Sequence, residues 1–264
     1  KSFKERKRLF ELERSSWTDY RLSSISKGGG IFNRNAKEIK LSTEIKTLIR
    51  WKKDIISGQE LVIQILKLKA DLLWLGGIGT YLKSDQEENI HVGDPANDAI
   101  RINISEFKCS VIGEGANLGV THLGRVQFSK KGGRVNTDAI DNSAGVNMSD
   151  YEVNIKILLE NMQRLEKLAS FDQRNKVLKE ITEEVSTLVL GNTANNHKLL
   201  SKEMLQTKLY PDLYISFISY LKTQLLPKGF EHALPTFKVL RDYKVIPQGF
   251  PRPYGNNSGN RVQR

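Results

Sequence analysis

The sequence predicts an α/β fold followed by an α-helical carboxy-terminal region. Three observations lead there. A short apolar run over residues 70–75 follows a capped helix and stops at Gly76-Gly77-Ile78-Gly79. A second run, over residues 108–112, stops at Gly113-Glu114-Gly115-Ala116-Asn117-Leu118-Gly119. Beyond Ser149 the apolar residues repeat at helical spacing instead. Helix, strand and glycine turn, taken twice, are the rhythm of an α/β sheet.

The elements follow in order. Residues 1–14 read as the end of a helix, with Phe3, Leu9, Phe10 and Leu12 on a charged background. A turn region follows and closes on Gly28-Gly29-Gly30, which suits either a phosphate cradle or a flexible turn. Ser42 precedes an acid in a first helical turn, an N-cap signal. Ser57 and Glu60 have capping-box spacing, and Leu61, Ile65, Leu66 and Leu68 are expected to share the buried face of that helix. Residues 70–75 read as a buried strand. Residues 98–104 fit helix or strand equally. Thr121 caps a helix that Gly132 and Gly133 end, with residues 134–140 as the next strand; the rival makes residues 125–128 a strand and the glycines a hairpin. Val153, Ile155, Leu158, Met162, Leu165 and Leu168 define a long helix from Ser149, which again has capping-box spacing to Glu152. Ser170 starts another helix towards Leu190, and a helix pair over residues 201–226 breaks at Pro211. Residues 227–264 hold five of the seven prolines and read as loop or disorder. The organisation expected is therefore an α/β domain over 1–148, helices over 149–226 and a Pro-rich basic tail over 227–264.

Bulk properties narrow the function classes. With 264 residues the chain can bury a sizeable core. No run reaches the roughly eighteen apolar residues of a membrane span, and no apolar segment follows the charged start as in a signal peptide. One cysteine, Cys109, excludes an internal disulfide and fits a cytoplasmic location. The histidines lie apart from any metal-ligand spacing. The net charge of +11 is concentrated at the ends: residues 1–50 carry 13 Lys and Arg against 6 Asp and Glu. A basic polyanion-binding protein is one reading of that asymmetry, but neither arm holds a recognition motif, so nucleic acid is not the expected partner.

The chemistry is carried by loops. Gly76 and Gly77 sit at the carboxyl end of a strand, where open α/β sheets bind ligands. The turn at Gly113 has a G-x-G-x-x-x-G form that allows close backbone approach to a pyrophosphate, or a merely structural turn. Residues 136–152 gather Asp138, Asp141, Asn142, Asn147 and Ser149 beside small residues. A helix starting at Ser149 would point free amides at a carboxylate, although capping alone is the plainer role. No nucleophile–base–acid set is present.

At these residues the sequence resembles a known family. Asp71-Leu72-Leu73-Trp74, Gly76-Gly77-Ile78-Gly79-Thr80-Tyr81, Gly93-Asp94 with Ala96-Asn97-Asp98, Glu114-Gly115-Ala116-Asn117, Gly133-Arg134-Val135-Asn136-Thr137-Asp138 and Ile140-Asp141-Asn142-Ser143-Ala144-Gly145-Val146 resemble the large NAD-specific glutamate dehydrogenases. Arg14-Ser15-Ser16-Trp17 and Ile25-Ser26-Lys27-Gly28-Gly29-Gly30 fit as well, and the likeness runs from about residue 1 to about residue 190. Glu13, Arg21 and Leu75 depart from the family's usual proline, acid and asparagine, and the tail from Pro227 is unlike it.

The resemblance implies an incomplete Rossmann-like NAD-binding domain and a part in oxidative deamination of L-glutamate to 2-oxoglutarate and ammonia. It implies that Gly76, Gly77, Glu114, Gly115, Ala116, Asn117 and Asn142 lie by the cofactor. Val146 and Ser149 would face the substrate's side-chain carboxylate. It further implies a homo-oligomer in the full-length form. In the family the catalytic lysine and aspartate and the primary glycine fingerprint precede the matching region. The chain is thus expected to be a carboxy-terminal portion without catalytic residues, either part of such an enzyme or a non-catalytic relic or truncated product.

Overall fold

The computed structural model describes residues 2–167 and 170–225, together with Pro235. The expected tail over 227–264 lies outside the described residues except for Pro235, which is buried. Helix α1 (Ser2–Glu11) opens the chain. The helix expected at the start is present; of its apolar residues Leu9 is buried, whereas Phe3 and Phe10 are exposed. The other buried residue is Glu5, whose carboxylate takes two hydrogen bonds from Arg8, at 2.6 and 3.1 Å, and one from the Arg21 amide. The Arg8 hydrogen bonds hold its carboxyl down at about 2.

Strand β1 (Ile39–Lys40), helix α2 (Thr43–Ile49), strand β2 (Ile55–Ile56) and helix α3 (Gly58–Leu66) form a first packing unit. β1 and β2 pair antiparallel, bringing Ile39 opposite Ile56. Ile39, Leu41, Ile49, Ile56 and Leu61 make its core. Both expected helix starts are present. The Ser42 hydroxyl accepts from the Ile45 amide, and Ser57 and Glu60 form a reciprocal capping box. Ile65, expected on the buried face of α3, is exposed, whereas Leu61 and Leu66 are buried. Ser57→Ala is expected to lower stability by about 1 kcal/mol, the usual worth of an N-cap, as read by urea unfolding; an unchanged midpoint would mean that α3 is held by packing alone.

A second unit follows. Strands β3 (Leu72–Leu75) and β4 (Leu82–Lys83) precede the short helix α4 (Asn89–Val92), then strands β5 (Ile102–Asn103) and β6 (Val111–Glu114). β3 pairs in parallel with β6, and β4 in parallel with β5. The stretch left open over 98–104 is thus extended at its end. Helix α5 (His122–Lys130) starts where Thr121 accepts from the Gly124 amide, which excludes the rival strand over 125–128. Leu66, Leu75, Leu82, Ile102, Ile104, Phe107, Ile112, Val120, Phe128 and Val135 form the common core. The result is a mixed α/β architecture.

The strand expected over residues 134–140 does not form. Only Arg134 bridges to Val111, and helix α6 (Asp138–Asp141) follows at once. Its two aspartates accept amides from the 114–118 region, and these tertiary bonds outweigh the local extended pattern. The helical region begins earlier than expected: α7 (Ser143–Arg164) has Asn142 as its N-cap, so Ser149 lies inside the helix and does not cap it. Leu159 is buried, with Tyr151, Ile155 and Met162 half-buried, while Val153, Leu158 and Leu165 are exposed. Helices α8 (Phe171–Glu180), α9 (Thr182–Leu209) and α10 (Pro211–Tyr220) complete the described chain. Ser170 caps α8 as expected, and the break at Pro211 is present. The expected helix start near Ser201 is not, because α9 runs through it. α7 packs along α9, and α6 touches β6, α7 and α9. Among the described residues no helix is long and apolar enough to cross a membrane.

Candidate functional site

The pairing of β3 with β6 decides where the glycine loops meet. The register sets Leu75 opposite Glu114, so both strands end at the same level. Residues 76–79 and 115–119 leave those ends side by side, and the Ala116 amide donates to the Leu75 carbonyl at 3.1 Å. Gly76, Gly77, Gly115, Ala116 and Asn117, separated by about forty residues in sequence, are thereby brought together. Gly77 faces open space, since a Cβ there would meet nothing within 4 Å. Gly79 has φ +129°, which an L side chain rarely adopts, and a Cβ there would lie 2.7 Å from the Asn97 amide nitrogen.

Trp74 lies across these loops. A Cβ on Gly113 or Gly115 would come within 2.7 or 2.5 Å of its indole, so both glycines make room for the ring. The indole is nevertheless 61% exposed, and Leu72 on the same face of the strand is also exposed. The Asp71 and Leu75 carbonyls accept from β6 and its loop. By the alternation of a ladder, the polar backbone groups of Leu72 and Trp74 then point to the other edge of β3, which pairs with no strand among the described residues. The sequence suggested a buried strand; the structure gives one buried and one open face.

The 115–119 loop is held from below. Glu114 is 0% exposed and takes Arg125 Nε at 2.7 Å and Arg125 Nη2 at 2.9 Å. The same carboxylate accepts from the Val120 amide at 3.2 Å. Burial pushes the Glu114 carboxyl up, and the Arg125 guanidinium opposes that shift. The Glu114 amide donates to Asp141, which also accepts from the Asn136 side chain. Leu118 has φ +58°, an uncommon backbone for a branched residue, and its amide donates to Asp138 at 2.8 Å. Arg125 Nη2 lies 3.1 Å from the other Asp138 oxygen. Above this network Asn142 donates from its side-chain amide to the Asn117 side-chain oxygen at 2.8 Å.

The expected site residues therefore divide. Asn117 and Asn142 touch each other and stand beside the glycine loops. The Glu114 side chain faces inward, so any ligand would meet only its backbone. Val146 and Ser149 are exposed on α7, three residues apart and thus on one side of the helix. The reasoning that Ser149 offers helix-start amides does not hold, because those amides belong to residues just after Asn142.

The other end of the 76–81 segment is fixed by Arg101, whose side chain is fully buried. It donates to the Thr80 carbonyl at 2.8 Å, to Asn89 and Asp98, and to the Asp94 carbonyl at 2.7 Å. Asp94 in turn accepts from the Thr80 amide and from Asn97, and these bonds, with Arg101 nearby, lower its carboxyl below the usual range. Sequence reasoning gave no role to Arg101 or Arg125, and placed Trp74 only in a buried strand and in a motif of the resemblance. The arginines sit among many others, and no local spacing marks them. A cavity of about 700 Å3 between Arg6, Trp17, Tyr20, Ser24 and Gly30 lies on a different part of the chain; it takes in Gly30 of the glycine run, but none of the residues expected beside the cofactor or the substrate carboxylate. No group of three His, Cys, Asp or Glu among the described residues could hold a metal ion.

Comparison with known proteins adds the ancestry of these loops. Residues 1–203 match the family model described as bacterial NAD-glutamate dehydrogenase, catalytic domain. The chain is 48% identical over 221 residues to the NAD-specific glutamate dehydrogenase of Halomonas elongata, covering 84% of this chain and 14% of that protein. The proteins of the same name from Pseudomonas aeruginosa and Mycobacterium tuberculosis are 49% and 42% identical over 76% and 90% of the chain. The chain spans only 12% and 15% of those two proteins' lengths, respectively.

Proposed function

This chain belongs to the bacterial NAD-glutamate dehydrogenase catalytic-domain family, and on that premise we propose that it forms one wall of a cleft for NAD and L-glutamate. The observation that carries the reading is the side-by-side emergence of two glycine loops from the carboxyl ends of parallel β3 and β6, the place where open α/β sheets bind ligands. Residues 1–148 are then an incomplete Rossmann-like domain, followed by the helical region, whose first helix α7 already starts at Ser143. Gly76, Gly77, Gly115 and Ala116 offer backbone that a dinucleotide can approach closely. Asn117 and Asn142 offer side-chain amides, one oxygen of which is already engaged between them. Val146 and Ser149 stand along α7 for the substrate's distal carboxylate.

NAD, when bound, supplies the acceptor for the hydride of the glutamate α-carbon. The residues of this wall bind and orient; none is placed as a base. The group that takes the amine proton is assigned to polypeptide of the relatives that this chain does not span, and the imine left behind hydrolyses to 2-oxoglutarate and ammonia. The exposed apolar face of Leu72 and Trp74 supports that division, since parallel sheets are ordinarily covered on both faces. A cytoplasmic homo-oligomer belongs to the same reading.

Titration with NADH, followed by the cofactor's fluorescence, tests it. The chain is expected to enhance and saturate the signal, and Asn117→Ala to weaken binding by roughly tenfold, as loss of one oriented hydrogen-bonding group would. No saturable enhancement, or an Asn117→Ala variant that binds like the parent, would count against the reading and favour a relic without a cofactor surface.

A further inference from the structure

We infer that Arg125 is a positioning residue of this wall, a buried side chain that fixes where Asn117 meets Asn142. The inference rests on the cofactor reading above for its ligand, but its geometry stands apart from that reading. The loop over 115–119 is closed by one carboxylate: Glu114 begins it, and the same side chain accepts the Val120 amide where the loop ends. The tip is held by another, Asp138, which accepts the Leu118 amide. Arg125 on α5 touches both carboxylates, through Nε and Nη2 to Glu114 and through Nη2 to Asp138. It therefore joins the closure of the loop to the anchoring of its tip.

The cost of this arrangement points to positioning over stability. Arg125 is 3% exposed and Glu114 is 0% exposed. Well-packed apolar residues often fill such a place with equal or greater stability, because each buried ion forfeits its hydration. A planar guanidinium supplies what an apolar residue does not, namely a fixed direction for two acceptors at once. The direction matters here because Leu118 is held in a left-handed conformation that persists only where its surroundings over-determine it. Asn117 immediately precedes Leu118. Release of the Leu118 amide would let that turn relax and carry the Asn117 side chain away from Asn142.

The test compares Arg125→Met with the double variant Arg125→Met/Glu114→Gln in the whole chain. Thermal unfolding, amide hydrogen exchange at Leu118 and Val120, and NADH affinity are read for each. The single variant strands a buried carboxylate and is expected to unfold at lower temperature. The double variant removes both charges and is expected to regain most of that loss. In both, exchange at Leu118 and Val120 should quicken by at least roughly tenfold, and NADH binding should weaken by about the same factor. Arg125→Lys, which keeps the charge without the fork, should not restore either. A double variant with parental stability, parental exchange at both amides and parental affinity would overturn the inference. If the parent chain does not bind NADH, the cofactor reading fails by itself, while exchange at Leu118 and Val120 still decides whether Arg125 positions the loop.

Discussion

Arg101→Met is expected to lower the unfolding free energy by about 3 kcal/mol, close to the lower end of what breaking a buried ion pair costs. The guanidinium is fully buried and serves the Thr80 carbonyl, the Asp94 carbonyl, Asn89 and Asp98. Methionine fills similar volume but donates nothing. Thr80 is itself buried, so its carbonyl loses its partner without gaining water, a penalty of roughly 1–3 kcal/mol. The carboxylates of Asp94 and Asp98 are partly exposed and can be rehydrated, which keeps the total from rising further. For a chain of this size the midpoint of thermal unfolding should fall by roughly 6–12 °C. The effect should be larger than for truncation of Arg164, which pairs with Glu160 on an exposed helix face. If the two variants melt together, the buried hydrogen bonds of Arg101 do not hold the 80–101 segment.

What the sequence disclosed, and what it withheld, follows from the range of the forces involved. N-caps are settled within four residues, and Ser42, Ser57, Thr121 and Ser170 all cap where spacing put them. Ser149 shows the limit of that rule. Its spacing to Glu152 is correct, but α6 delivers the chain to Asn142 already turning, and the helix starts there. The segment over 134–140 shows the same limit. Its local pattern reads as a strand, yet Asp138 and Asp141 bind amides of Leu118 and Glu114, about twenty to twenty-seven residues away. The glycine loops were legible because a strand that stops in glycines leaves few alternatives. Their adjacency was not, since it depends on β3 and β6 pairing across some forty residues. The arginines beneath them were silent for the same reason: Arg125 is eleven residues from Glu114, and Arg101 is twenty-one from Thr80. Polar networks of this kind have no period along the chain.

Leu82→Ala should be the most damaging apolar truncation near the loops, costing about 4 kcal/mol within the usual 2–5 kcal/mol range for a buried leucine. Leu82 is 0% exposed and pairs with Ile102 in β5, while Val120, also fully buried, bridges it from the other side. Both neighbours are β-branched residues at fixed backbone positions and have little freedom to collapse into the space left behind. The Leu82 amide donates to Gly119 and its carbonyl accepts from Thr121, so the cavity would open directly under the end of the 115–119 loop. Trp74 offers the contrast. It is larger, lies beside the same loops and is mostly exposed, so Trp74→Ala should cost far less in stability than its size suggests. Urea unfolding of the two variants separates the cases. A Trp74→Ala loss equal to that of Leu82→Ala would mean that the open face of β3 is covered when the chain is alone in solution. The expected order would mean that the core beneath the loops stands without that cover, and that the face of Leu72 and Trp74 is free for whatever completes the cleft.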